Sequence, residues 1–186
     1  MGKRIVAVLT IVALGLLATS AAQASPTGVT PPPEAYCGIT WGSGAKAAGP
    51  STSPFSPLTD IRTGRHACYD RMVFDFEGPA AGYRVQYVNH VYTVARGALL
   101  PLGGGARLEI VLRAPANDVH GHATYDGVEG ARLPRVDLAG YRTFRNARYG
   151  GSFEGVTIIG LSTRARLPFR VVKLDHRLVL DVAHQW

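Results

Sequence analysis

The chain has 186 residues, 46% hydrophobic and 18% charged, with a formal net charge of +7. That length fits one domain with a sizeable core and leaves little room for a second. The basic balance favours anionic partners at long range without choosing among them.

Lys3 and Arg4 precede an uncharged run from Ile5 to Ala18, and small residues then lead to Ala22-Gln23-Ala24. A charged start, an apolar stretch and an A-x-A site predict a secretory signal over 1–24, cut near Ala24/Ser25. The apolar run holds 14 residues, short of the roughly 20 that cross a bilayer, so no stable membrane insertion is expected. No cysteine stands at the cleavage point, and no lipid anchor is expected. The leader removes two of the 20 basic residues, taking the charge from +7 to about +5, nearly all of it arginine. Export turns that charge toward cell-wall polymer, peptidoglycan carboxylates or lipid headgroups and away from nucleic acid.

Residues 25–57 are rich in Pro, Gly, Ser and Thr, including Pro31-Pro32-Pro33 and Ser51-Thr52-Ser53-Pro54. So little apolar surface does not offset ordering entropy, and the stretch reads as a linker. The two cysteines, Cys37 and Cys68, are expected to form a disulfide in an oxidising compartment. It would pin the linker to the core and, closing a loop of about 30 residues, stabilise the fold by roughly 3–4 kcal/mol. Trp41 either packs beside Cys37 or stands exposed as a binding aromatic.

The folded domain is expected over 58–186. Apolar residues recur with period two in Tyr69–Glu77, Tyr83–Val94, Arg107–Arg113, Ser152–Leu161, Pro168–Leu174 and Arg177–Val182. Turn residues break the runs at Gly78-Pro79, Gly97, Gly103-Gly104-Gly105, Ala116-Asn117-Asp118 and Gly150-Gly151. With no comparable 3.6-residue stripe, the fold class is all-β with little helix, an antiparallel sandwich or a partly open barrel. Tyr83, Val85 and Tyr87 share one strand face and Arg84, Gln86 and Val88 the other, so one set faces the core. One pattern, R-[ML]-V-[FL]-D-[FV], occurs at Arg71–Phe76 and again at Arg177–Val182. It implies two pseudo-symmetric halves that pack their apolar faces together, with Arg71, Asp75, Arg177 and Asp181 pairing across strands on the polar side.

His66–Phe76, Gly82–Val88, Ser152-Phe153-Glu154-Gly155 and the ending Phe169–His184 together resemble the AMIN-like domain, over about Leu58 to Trp186. That domain occurs in secreted proteins and lipoproteins of high-GC Gram-positive bacteria. It is similar in turn to the AMIN domain of some cell-wall amidases and pilus secretins. The resemblance implies a two-sheet β-sandwich with an envelope-targeting, peptidoglycan-binding role. Here no enzyme domain is expected after it.

No H-E-x-x-H, G-x-S-x-G or phosphate loop is present. Asp118, His120, His122 and Asp126 form the best metal-like group, but the segment reads as a solvated loop, and no metal or cofactor is expected. Glu77, Glu109 and Glu154 show no spacing that would set two carboxylates across a cleft, and no catalytic residues are expected. A glycan site needs aromatics beside polar groups. Arg84, Gln86, His90 and Tyr92 offer that mixture, and Arg142, Arg145 and Arg148 offer arginine forks for an anionic polymer. His66, Asp70 and Arg71 read as a structural hydrogen-bonded cluster near the disulfide. The expected function is non-catalytic binding of peptidoglycan or an attached anionic glycopolymer. The alternative is a protein-interaction or inhibitor domain that docks on an envelope protein.

Overall fold

A computed structural model describes residues 35–49 and 55–186. The leader residues Lys3 to Ala24, Pro31-Pro32-Pro33 and Ser51-Thr52-Ser53-Pro54 lie outside the described residues. Among the described residues nine strands follow one another: β1 (Lys46–Ala48), β2 (Leu58–Arg65), β3 (Tyr69–Phe76), β4 (Gly82–Val88), β5 (Ala106–Arg113), β6 (Phe144–Phe153), β7 (Val156–Thr163), β8 (Phe169–Leu174) and β9 (Arg177–Ala183). They form two antiparallel sheets, ordered β2-β3-β9-β8 and β1-β4-β5-β7-β6.

The core lies between the sheets, as strand alternation requires. Met72 and Phe74 on β3 stand opposite Leu180 and Leu178 on β9, and all four are fully buried. Leu108, Ile110 and Leu112 on β5 do the same from the other sheet, beside Val85 of β4 and Ile159 and Leu161 of β7. Tyr83 and Tyr87 are half-buried against this core, which leaves Arg84 and Gln86 on the outer side.

The two R-[ML]-V-[FL]-D-[FV] strands do not face each other across the core. They pair side by side as β3 and β9, with Arg71 opposite Asp181, Val73 opposite Val179 and Asp75 opposite Arg177. Both apolar faces point at the five-stranded sheet, and both polar faces share one outer surface.

Each flank of the sandwich is closed by a segment without much periodicity. On one side the strap Ala35–Gly49 crosses from sheet to sheet: the Phe169 N–H donates to the Gly42 carbonyl at 2.9 Å, and β1 pairs with Tyr83–Val85 of β4. Cys37, at a φ of +55°, anchors the strap through a disulfide to Cys68. On the other flank the segment 114–143 runs along β6, with the Gly130 N–H donating to Tyr149 and the Tyr149 N–H to Ala131.

Three sequence expectations change. Ser152–Leu161 is not one strand, because a tight turn at Glu154-Gly155 separates β6 from β7. Tyr83–Val94 ends as a strand at Val88, after which the chain climbs onto the outer face of the five-stranded sheet. Val91, Leu100 and Leu102 build a small second cluster there with Val88 and Ile158. Gly150-Gly151 does not break a strand but forms a bulge inside β6. A Cβ on Gly150 would lie 2.8 Å from Ile158, and Gly151 adopts a φ of +92°, so glycine is what lets the strand continue.

Candidate functional site

The outer face of the four-stranded sheet carries two arginine–aspartate–arginine clusters. Asp181 on β9 is fully buried yet accepts two bonds from Arg71 (Nε 2.7 Å, Nη2 2.9 Å) and one from Arg170 Nε at 2.8 Å. A buried carboxylate is tolerated because two cations neutralise it and fill its lone pairs. Asp75 on β3 accepts from Arg62 (Nε 2.6 Å, Nη2 3.1 Å), and Arg177 Nε lies 3.6 Å away. Hydrogen bonding to these carboxylates holds the Arg71 and Arg62 guanidiniums above their ordinary pKa, so both stay cationic.

Aromatic rings brace the first cluster. The Arg170 guanidinium sits 5.6 Å from the Trp41 ring and 5.5 Å from Tyr69, and Arg71 lies 5.2 Å over Tyr69. His66 stacks on the same Tyr69 at 4.6 Å. Trp41 is half-buried in the strap, and its Nε1 donates to Tyr36 O at 2.8 Å, so it packs and braces at once.

Between the clusters runs an open groove of about 330 Å³, lined by Arg62, Arg71, Arg177, His66, Leu174 and the Val73/Val179 floor, among others. Val73 and Val179 are almost fully covered because the long arginine stems lie along them. Among the described residues, Arg62 and Arg71 commit Nε and Nη2 internally and keep Nη1 for an outside partner. Two carboxylates below and four guanidiniums around leave the face positive, with an apolar strip at its centre.

The residues singled out from sequence do not gather into one site. Arg84 and Gln86 both reach Glu109, at 3.4 and 3.1 Å, on the outer face of the other sheet. His90 and Tyr92 lie in the loop after β4 with their rings 6.2 Å apart. Arg142 donates to Ala67 O at 3.4 Å. Arg145 is turned onto the carbonyls of Tyr141, Arg142 and Phe144, and Arg148 onto those of Pro101 and Gly130, so their forks fasten backbone.

His66, Asp70 and Arg71 are not one cluster either, because neighbours along a strand face opposite ways. Asp70 points inward, where its Oδ2 accepts from the Thr143 and Phe144 N–H groups at 2.6 and 3.0 Å and its Oδ1 lies 3.1 Å from His184 Nε2. Arg62 and Arg170 escaped sequence reading. Arg170 could have been found, since it alternates with Val172 and Leu174 on the face opposite Phe169.

Other arrangements hold less. A wider concavity of about 600 Å³ on the five-stranded sheet is lined by Tyr83, Arg84, Val111, Arg113, Glu154 and Val156, among others. Its charges largely cancel, with Glu109 already on Arg84 and Glu154 in the rim, whereas the smaller arginine groove keeps a net positive charge. No group of three or more metal-ligating side chains is present among the described residues. Asp118 accepts the His120 and His122 N–H groups at 2.8 Å, whereas Asp126 pairs with Arg135 at 2.7 Å.

A two-sheet sandwich whose charged features lie on a sheet face, with a disulfide-held strap at its edge, has the form of an extracytoplasmic binding module. The chain belongs to the AMIN-like domain family, whose model matches residues 56–184. No curated protein and no solved structure matches it.

Proposed function

We propose that this chain is a secreted, envelope-associated, non-catalytic module that binds cell-wall polymer, peptidoglycan or an attached anionic glycopolymer, on the outer face of its four-stranded sheet. The carrying observation is the groove in which Arg62, Arg71 and Arg177 surround the Val73/Val179 floor. A sugar ring presents an apolar face and a polar rim, and a wall glycan adds carboxylates or phosphates. The apolar arginine stems over the valines suit the ring, and the unengaged guanidinium nitrogens suit the anions. The leader pattern at Lys3 to Ala24, the family and the disulfide all support a place outside the cytoplasm.

The test is retention of the oxidised 25–186 protein on insoluble peptidoglycan, before and after the attached anionic polymers are stripped, at low and high salt. Wild type is expected to be retained at low salt and Arg62→Gln/Arg177→Gln to be released, since both side chains are about half exposed and their removal spares the core. Loss of retention on stripping would assign the attached polymer, and persistence would assign peptidoglycan. Equal behaviour of wild type and variant would overturn the reading and leave an envelope protein as the partner.

A further inference from the structure

The repeated strand pattern does more than supply positive charge. β3 and β9 carry the same outward triplet, arginine, valine, aspartate, in opposite chain directions, with Val73 opposite Val179 at the middle. This places a local two-fold between the valines and sets the Asp75 cluster at one end and the Asp181 cluster at the other. Asp75 stands opposite Arg177, and Asp181 is four residues further along β9, so the cluster centres are offset by about 13 Å along the strands. The flanking arginines depart from the symmetry: Arg62 stands opposite Val73 on the β2 side, whereas Arg170 stands opposite Asp181 on β8. Both ends nonetheless finish as one carboxylate held by two guanidiniums, each with net charge of about +1 from its formal charges.

We propose that the groove is a two-point reader: it binds a linear glycan that carries recurring carboxylates by holding one anion at the Asp75 cluster, one at the Asp181 cluster, and a ring face on the apolar arginine stems that cover Val73 and Val179 between them. The inference rests on the binding face assigned above and adds its ligand class and valency. A single anion meets one cluster and gains little, because an exposed ion pair contributes at most about 1 kcal/mol. Once a chain reaches both clusters, the second contact forms at high effective concentration and affinity rises without a new kind of contact. The apolar stems over the valines select rings over a flexible polyol-phosphate chain, which has no apolar face to rest there.

The experiment is a binding titration with galacturonate oligomers, from one ring to about eight, beside glycerol-phosphate oligomers of matched charge. For wild type, affinity is expected to step up on the order of 10²-fold once the oligomer spans both clusters, with galacturonate preferred over glycerol phosphate. Arg177→Gln breaks the Asp75 cluster, and Arg71→Lys weakens the Asp181 cluster while keeping its charge beside the buried carboxylate. Each is expected to flatten the step and to leave affinity for the single ring little changed. A step that survives either substitution, a smooth rise with length in wild type, equal affinity for the two polymers, or no binding of any galacturonate oligomer would each overturn the two-point reading. A step that appears with galacturonate although wall material does not retain the protein would support two-point binding and reject the wall-polymer assignment alone.

Discussion

Asp70 is the side chain on which most of the interior depends. It is fully buried, it caps two backbone N–H groups at the start of β6, and it faces His184, whose Nδ1 lies 3.2 Å from the Ala67 carbonyl. One carboxylate therefore joins the β2–β3 turn, the entry to β6 and the end of the chain. Asp70→Asn removes the buried charge that two backbone N–H groups and His184 face, and is expected to cost about 3 kcal/mol or more. A fall in the urea midpoint at unchanged slope would register it, and a loss below about 1 kcal/mol would mean the network is dispensable. A second residue-scale expectation concerns alkali. Tyr125 and Tyr149 pack at 5.3 Å; burial raises the Tyr125 hydroxyl and pushes Tyr149 up to about 12 from its ordinary value near 10. A raised tyrosine keeps its proton in the folded state while the unfolded chain loses it. Stability is thus full below about pH 10 and falls above it, by about 1.4 kcal/mol per pH unit per tyrosine. Tyr149→Phe should make the alkaline limb of a melting-temperature profile shallower, and an unchanged limb would place the sensitivity elsewhere. The Asp70–His184 pair was not legible beforehand because 114 residues separate the partners, and only the inward parity of Asp70 with Met72 and Phe74 hinted at its direction.

At the scale of elements, period-two alternation located the strands wherever one face is buried and the other wet, as in β3, β5, β8 and β9. It failed for β2, whose bulge between Leu58 and Asp60 breaks the period, and for β6, where two irregularities reset the parity of Phe144, Ala147 and Tyr149. Those inserted residues turned a ten-residue strand into what read as a mixture of arginines and aromatics. Gly160 shows what alternation cannot reveal. It is the outward residue of β7 under the 89–105 segment, and a Cβ there would lie 2.6 Å from Leu102 and 3.2 Å from Leu100. Gly160→Val is expected to lift that segment at a cost of about 1–3 kcal/mol. Limited proteolysis should then cut between Asn89 and Gly105 well before the rest of the protein, and unaltered resistance there would show that the leucines re-pack.

On the scale of the molecule, both flanks of the sandwich are sealed by main-chain hydrogen bonds, so long open strand edges are few. The strap is the more vulnerable seal: β1 is three residues long, and among the described residues the strap's main-chain link to β8 is a single bridge at Gly42 and Phe169. The disulfide therefore carries much of its anchoring. Cys37→Ser and Cys68→Ser should each lower stability by about 3–4 kcal/mol, since either change opens the same loop, and unequal losses in thermal melts would assign the effect to local packing instead. The composition of the strap concealed all this. A segment rich in Gly, Ala and Ser reads as linker, yet its backbone finds edge strands to bond and its one tryptophan finds Tyr69 and Arg170. The candidate groove was half legible, in the repeated Arg, Val and Asp, while its outer walls depended on knowing that β3 and β9 are neighbours.

The position of Cys68 also decides how the protein would respond to being pulled. Cys68 immediately precedes β3, and Tyr69 stands opposite Ala183 at the end of β9. Tension applied between Tyr36 and Gln185 therefore bypasses the strap through the sulfur bridge and enters two antiparallel neighbours at the same end, peeling β9 from β3 one pair at a time. The bridge spans 31 positions, so about 100 Å of chain stays unextended until it is reduced. Under load the oxidised module should yield at its centre while the strap itself bears no tension.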